Sequence, residues 1–140
     1  MEKKFKIGYT TGVYDMFHIG HLNILRRAKE QCDTLVVGVT SDDLCFKRKN
    51  KYPIIPEKER MEIVQAIRYV DYVVPQTDMD KLKAVIANHA DVVFVGSDWK
   101  GTNSWNHYEE EFARYGCSVV YLEHTDGISS TILRDKLKSK

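Results

Sequence analysis

The chain has 140 residues, 43% of them apolar and 29% charged, and 21 Lys plus Arg against 20 Asp plus Glu leave a formal net charge of +1. One domain with its own core is expected, and the absence of a Ser-, Gln- or Pro-rich tract places the chain outside the disordered class. The charge balance argues against nucleic-acid backbone as partner, because such binders carry a Lys/Arg excess that displaces phosphate counterions; small ligands are favoured instead.

Taken in order, Phe5–Tyr9 is a short apolar run expected to form the first strand, and Gly12–His21 is a turn that opens a helix over His21–Gln31 marked by Leu22, Leu25 and Ala28. Thr34–Thr40 reads as the second strand, and the basic stretch Asp42–Pro56 as a mobile loop. Met61, Val64 and Ile67 mark a helix ending near Arg68, followed by a strand at Tyr72–Val74. A helix over Asp80–His89 carries Leu82, Val85 and Ile86, and Val92–Val95 is the fourth strand. Tyr108–Tyr115 is a further helix, Ser118–Leu122 the fifth strand, and Ser129–Lys138 a closing helix with Ile132, Leu133 and Leu137.

Short, near-continuously apolar strands alternating with amphipathic helices indicate an α/β fold. The expectation is a single domain over 1–140, a Rossmann-like, doubly wound, parallel five-stranded sheet with helices on both faces. Ligands of such sheets sit beyond the carboxyl ends of the strands where strand order reverses, so the loops after the first and fourth strands are the places to search. No run approaches the ~18 apolar residues of a bilayer-spanning helix, and MEKKFKIGY lacks the apolar core of a secretory signal, so a cytoplasmic protein with no membrane insertion is expected. Cys32, Cys45 and Cys117 are odd in number and form no C-x-x-C pair, which suits buried, reduced thiols.

The segment Gly12-Val-Tyr-Asp-Met-Phe-His-Ile-Gly-His21 lies where a phosphate-binding turn belongs, yet it matches neither a P-loop nor the dinucleotide fingerprint. His18 and His21 stand three apart at a helix start and so project to one side, with Gly20 letting an anion approach the backbone. Other readings of the same residues are two unrelated surface histidines, or a metal site completed by Asp15. The metal reading is the weaker, since catalytic zinc commonly takes three protein ligands and a general base, and no H-E-x-x-H is present. Asp15 is equally suited to capping the helix.

The stretch GVYDMFHIGH resembles the H-x-G-H nucleotidyltransferase superfamily. Together with IRYVD at Ile67–Asp71, GSDWKG at Gly96–Gly101 and VVYLEHTDGISST at Val119–Thr131, it is similar over nearly the whole chain to the small bacterial glycerol-3-phosphate cytidylyltransferases. Class I aminoacyl-tRNA synthetases share the HIGH spelling, but they are much longer and add a K-M-S-K-S loop that this chain lacks.

The resemblance implies transfer of a cytidylyl group from CTP to glycerol 3-phosphate by direct in-line attack at the α-phosphorus, giving CDP-glycerol and pyrophosphate for cell-envelope or capsular polymers. His18 and His21 would bond the α-phosphate region. Lys47 and Lys49 of the basic run FKRKNK, and Arg68 of IRYVD, would complete the catalytic set, the bland alternatives being a solvated charged loop and ordinary helix-surface charge. Nucleotide contacts are implied for Gly12, Val13, Tyr14, Asp15, Gly20, Asp98, His124, Thr125, Gly127, Ile128 and Ser129. Acceptor contacts are implied for Asp15, Arg60, Asp98 and Trp99. An Asp98 that caps a turn, a Trp99 in the core and a Ser129 that serves only as a helix N-cap are the competing readings.

A divalent cation, Mg2+, is expected to be carried by the CTP phosphates without a dedicated protein cage. A homodimer is implied, with the Tyr and Trp residues of Trp105–Tyr115 as interface candidates. One departure stands out: the family's tail element begins with Arg where this chain has His124, so a permanent cation becomes a titratable one and a neighbouring basic group is expected to compensate. Other phosphoalcohols or a phosphonate as acceptor, adenylyl transfer, and a nucleotide sensor without turnover are the alternatives.

Overall fold

A computed structural model describes residues 4–123. The expected tail helix and the expected ligands His124, Thr125, Gly127, Ile128 and Ser129 lie outside these residues. The five expected strands are present: β1 (Phe5–Gly12), β2 (Cys32–Thr40), β3 (Tyr72–Gln76), β4 (Val92–Gly96) and β5 (Ser118–Leu122). They form one parallel sheet in the order β3-β2-β1-β4-β5.

Both faces are covered, which is why the strands read as apolar runs rather than as alternating patterns. On one side α1 (Ile19–Gln31) and α3 (Glu57–Gln65) bring Leu25, Ala28 and Val64 onto Leu35, Val37, Val39, Val92 and Phe94. On the other, α4 (Lys81–Asn88) and α5 (Asn103–Ala113) bring Val85, Trp105 and Phe112 onto Tyr9, Val36 and Val93.

Several expectations are corrected. The stretch expected as a mobile loop begins with α2 (Asp42–Lys49), capped by the Ser41 side chain accepting from Leu44 N–H and closed by Asn50 in the left-handed region. Its acidic start and basic end both complement the helix dipole. α5 begins five residues before the expected Tyr108, because the Thr102 hydroxyl accepts from Trp105 N–H. Trp105 of that helix is buried against the sheet beside Phe112, so it is core and not the interface residue expected of it. Of the aromatics in that stretch Tyr115 is exposed.

The reversal of strand order falls between β1 and β4. Their pairing runs from Gly8–Val92 to Thr10–Phe94, whereas β1 stays with β2 as far as Gly12–Val39 and β4 stays with β5 as far as Gly96–Leu122. The two halves of the sheet therefore part above Thr10, whose hydroxyl donates to the Phe94 carbonyl at 2.9 Å and closes the floor of the cleft.

Candidate active site

Leaving β1, the backbone turns sharply through Tyr14 (φ 55°) and Met16 (φ 49°), two side-chain-bearing residues in the left-handed region. The Tyr14 ring folds back over Gly12, where a Cβ would lie 2.9 Å from it, and supports His21 edge-on at 5.3 Å. Tyr14 is buried in the core. Its expected nucleotide contact is therefore corrected: the ring is the floor beneath His21, not a ligand-facing group.

His18 caps α1. Its Nδ1 accepts from Gly20 N–H at 3.1 Å, and its own backbone N–H donates to His21 Nδ1 at 3.2 Å. The rings stack at 3.9 Å with 26° between planes. Because each Nδ1 accepts, each neutral ring carries its proton on Nε2. Burial lowers both pKa values; for His21, with further repulsion from His18, the value falls to about 4. His18 Nε2 is buried with no hydrogen-bond partner among the described residues. The pair thus presents neutral N–H donors beside the cleft. The Gly20 N–H is engaged with His18 Nδ1.

Asp15 is buried, and its carboxylate accepts from Ile54 and Ile55 N–H at 2.9 Å each. The helix cap is His18, not Asp15, and Asp15 instead ties the segment after α2 to the turn after β1. Arg60 was expected at the helix surface or on the acceptor; it is 0% exposed. Its Nε donates to the Ile55 carbonyl, Nη1 to the carbonyls of Val13 and Thr40, and Nη2 to Asp42 Oδ1 at 2.6 Å. A planar fork with five N–H donors suits four acceptors drawn from three separate segments. Arg60 is therefore a positioning residue that fastens the loops after β1 and β2 together, with Val13 among its acceptors.

Lys47 and Lys49 are exposed in the last turn of α2. Between them Arg48 lies close enough to Lys81 to help lower its pKa, burial being the larger cause, to about 8. Lys81 Nζ donates to Thr11 Oγ1 at the end of β1, at 3.4 Å, and stands over the Trp105 ring at 5.9 Å. Neither Lys81 nor Arg48 was singled out from the sequence. The signal was weak: a lysine at a helix start looks like ordinary surface charge, and only the strand order brings α4 beside the end of β1.

Asp98 and Trp99 sit on a single 3-10 turn, Ser97–Trp99, directly after β4. Trp99 is 45% exposed, so it is not core. Arg68 is elsewhere. It lies in the turn entering β3, where Asp71 N–H bonds the Leu35 carbonyl near the start of β2. Thr40, at the other end of that strand, is five residues on, roughly 16 Å at about 3.3 Å per residue. Arg68 thus stands before the start of β3, whereas His18 and His21 follow the carboxyl end of β1. Among the described residues no group of three His, Cys, Asp or Glu side chains is placed to hold a metal ion.

A family model described as "Cytidylyltransferase-like" matches residues 9–136. The chain is 35% identical over 129 residues to the glycerol-3-phosphate cytidylyltransferase of Bacillus subtilis, covering 91% of this chain and 94% of that protein. To the enzyme of the same name from Staphylococcus aureus it is 34% identical over 132 residues, 94% of each chain. Among solved structures, a lipopolysaccharide core biosynthesis protein from Thermoplasma volcanium superposes with a TM-score of 0.72 at 26% identity, over 86% of this chain and 97% of that one.

Proposed function

The chain belongs to the cytidylyltransferase-like family, and from that premise we infer that it transfers a cytidylyl group from CTP to glycerol 3-phosphate, releasing pyrophosphate. The observation that carries the reading to the residues is the paired imidazoles, whose Nδ1 atoms both accept so that each neutral ring keeps its proton on Nε2, with His18 Nε2 unpartnered among the described residues, at the point where the sheet divides.

An oxygen of the acceptor phosphate attacks the α-phosphorus of CTP; the new P–O bond forms as the bond from the α-phosphorus to the bridging oxygen breaks, and that oxygen leaves with the pyrophosphate. Two anions must meet, so alignment and charge stabilisation dominate. His18 and His21 would donate to the oxygens on the α-phosphorus, where negative charge builds. Lys47 and Lys49 would neutralise the departing phosphates from the end of α2. Lys81, with Arg48 behind it, would hold the acceptor's phosphate on the opposite side of the cleft, and Asp98 and Trp99 would contact cytosine or acceptor from the end of β4.

The site offers imidazole N–H and ammonium groups, while the Asp15 carboxylate is engaged with backbone amides. That donor set suits phosphate oxygens, so Mg2+ would arrive on the triphosphate and supply charge neutralisation there. A cytoplasmic homodimer making CDP-glycerol for cell-envelope or capsular polymers is the wider role we propose. No helix among the described residues is long and apolar enough to cross a membrane.

The test is pyrophosphate release with CTP and with ATP across glycerol 3-phosphate, phosphocholine and phosphoethanolamine. Release with CTP and glycerol 3-phosphate is expected. Release with ATP alone would overturn the cytidylyl assignment, and CTP binding without release from any acceptor would leave a nucleotide sensor.

A further inference from the structure

On the α4 side of the sheet, a cavity of about 270 Å³ lies between the end of β3 and the start of α4, with Tyr9, Gln76, Asp78, Lys81 and Asn88 in its wall. It adjoins the cleft, because Lys81 both lines it and bonds Thr11 at the end of β1. Gln76 is 7% exposed. Its Oε1 accepts from the Thr40 hydroxyl at 2.7 Å, but its Nε2 is buried with no partner among the described residues.

Turning the amide over does not remove the deficit. The Thr40 hydroxyl also lies 3.2 Å from the Gly12 carbonyl and can turn its hydrogen there while accepting from Gln76 Nε2. The orphan then becomes Oε1. In either orientation one buried amide atom of this wall residue lacks a partner among the described residues, at the cost that a buried, unmade hydrogen bond carries.

A hydroxyl group resolves this because it both donates and accepts, and so satisfies the amide whichever way it lies. A trimethylammonium group does neither, and a primary ammonium only donates. Asp78 is in the wall of the same cavity and adds acceptor capacity for a second hydroxyl. We propose that Gln76 is a specificity-determining residue for the acceptor, its amide bonding a hydroxyl of a phosphorylated polyol whose carbon chain enters the cavity between β3 and α4. The proposal rests on the chain being a cytidylyltransferase for a phosphorylated alcohol, and names what that site reads.

The experiment compares kcat/KM for glycerol 3-phosphate with that for propyl phosphate, which lacks both hydroxyls, in wild-type enzyme and in Gln76→Leu. The wild type is expected to prefer glycerol 3-phosphate by about tenfold or more. In the variant that preference should fall to within a few-fold, by loss of glycerol 3-phosphate use and not by gain of the analogue, with KM for CTP unchanged. A preference that survives Gln76→Leu at normal CTP KM overturns the proposal and leaves the transferase reading standing, whereas no turnover of CTP by the wild type with any acceptor defeats that reading, and the proposal with it. Should Gln76→Leu fail to fold, a density map of the wild type with glycerol 3-phosphate decides the matter. A hydroxyl within hydrogen-bond distance of the Gln76 amide supports the assignment; a water there, with the glycerol chain elsewhere, contradicts it.

Discussion

The backbone N–H of His18 donates to Nδ1 of His21, three residues on, while the His18 side chain accepts from Gly20 N–H. The same two residues thus start a helix and set the tautomers of their own rings. Fold and chemistry are coupled here, and the two contributions can be separated. His18→Ala removes both the cap and the donor, so it should cost about 1 kcal/mol of stability and lower kcat by roughly 10²–10³. His18→Asn restores a capping side chain without an N–H at the Nε2 position. Thermal melting should recover while the rate of pyrophosphate release stays low.

The His21 pKa of about 4, set by burial and by His18, fixes a second expectation. An unfolded histidine titrates near 6.5, so between pH 6.5 and 4 the unfolded chain takes up a proton that the folded chain refuses. The stability contribution of the neutral ring is complete above pH 6.5 and declines as pH falls toward 4. A melting series over that range should show Tm dropping, and His21→Asn should flatten the slope. The pH–rate profile should lack a limb near 6.5.

Lys81 supplies the opposite sign. Its pKa of about 8 means the ammonium is lost as pH rises through that value. KM for glycerol 3-phosphate should therefore climb above pH 8 while KM for CTP holds. Lys81→Arg should move the climb to higher pH, since a guanidinium does not titrate in this range.

Arg60 makes a stability prediction of a different size. Removing a wholly buried guanidinium strands Asp42 and three carbonyls, so Arg60→Met should destabilise by about 3–5 kcal/mol. Arg60→Lys keeps the charge but lacks the fork, and should recover only part of the loss. In denaturant titrations of both variants the midpoint should fall. In Arg60→Lys at low temperature kcat should fall more than KM for CTP rises, because the loops that hold His18 and α2 are loosened together.

Gly38 on β2 exists to admit the Tyr9 ring: a Cβ there would sit within clash distance of Tyr9 Oη, and 3.1 Å from Thr11 Cγ2. Tyr9 is itself only 2% exposed. Gly38→Ala should cost about 1–3 kcal/mol. Adding Tyr9→Phe to Gly38→Ala removes the clashing oxygen and should return part of that stability, a non-additivity measurable by equilibrium unfolding of the four-member cycle.

The strands were legible because each is a Val-rich run covered on both faces, and the helix after β1 because Leu25 and Ala28 repeat at helical spacing. The helix α2 escaped notice because its eight residues bury only Leu44 and Cys45, so its caps, Ser41 and Asn50, were its main sequence signal. A fully buried arginine runs against the usual placement of charge, and nothing in the pattern around Arg60 marks it as internal. For Arg68 the motif IRYVD was recognisable, but its end of the sheet depends on how α3 returns to β3. Lys81 and Gln76 become neighbours of the cleft through strand order alone, since β3 and α4 are distant in sequence from His18.

The account turns on neutral imidazoles that keep their protons on Nε2 and aim them at the triphosphate. Nitrogen-15 NMR of ring-labelled histidine, recorded near pH 7 with and without CTP, addresses this directly. His18 and His21 should both show a protonated Nε2 and an acceptor Nδ1 in the free enzyme, and CTP should shift both Nε2 resonances while the Nδ1 signals stay in place. A proton on Nδ1, a doubly protonated ring near pH 7, or Nε2 resonances indifferent to saturating CTP would contradict it.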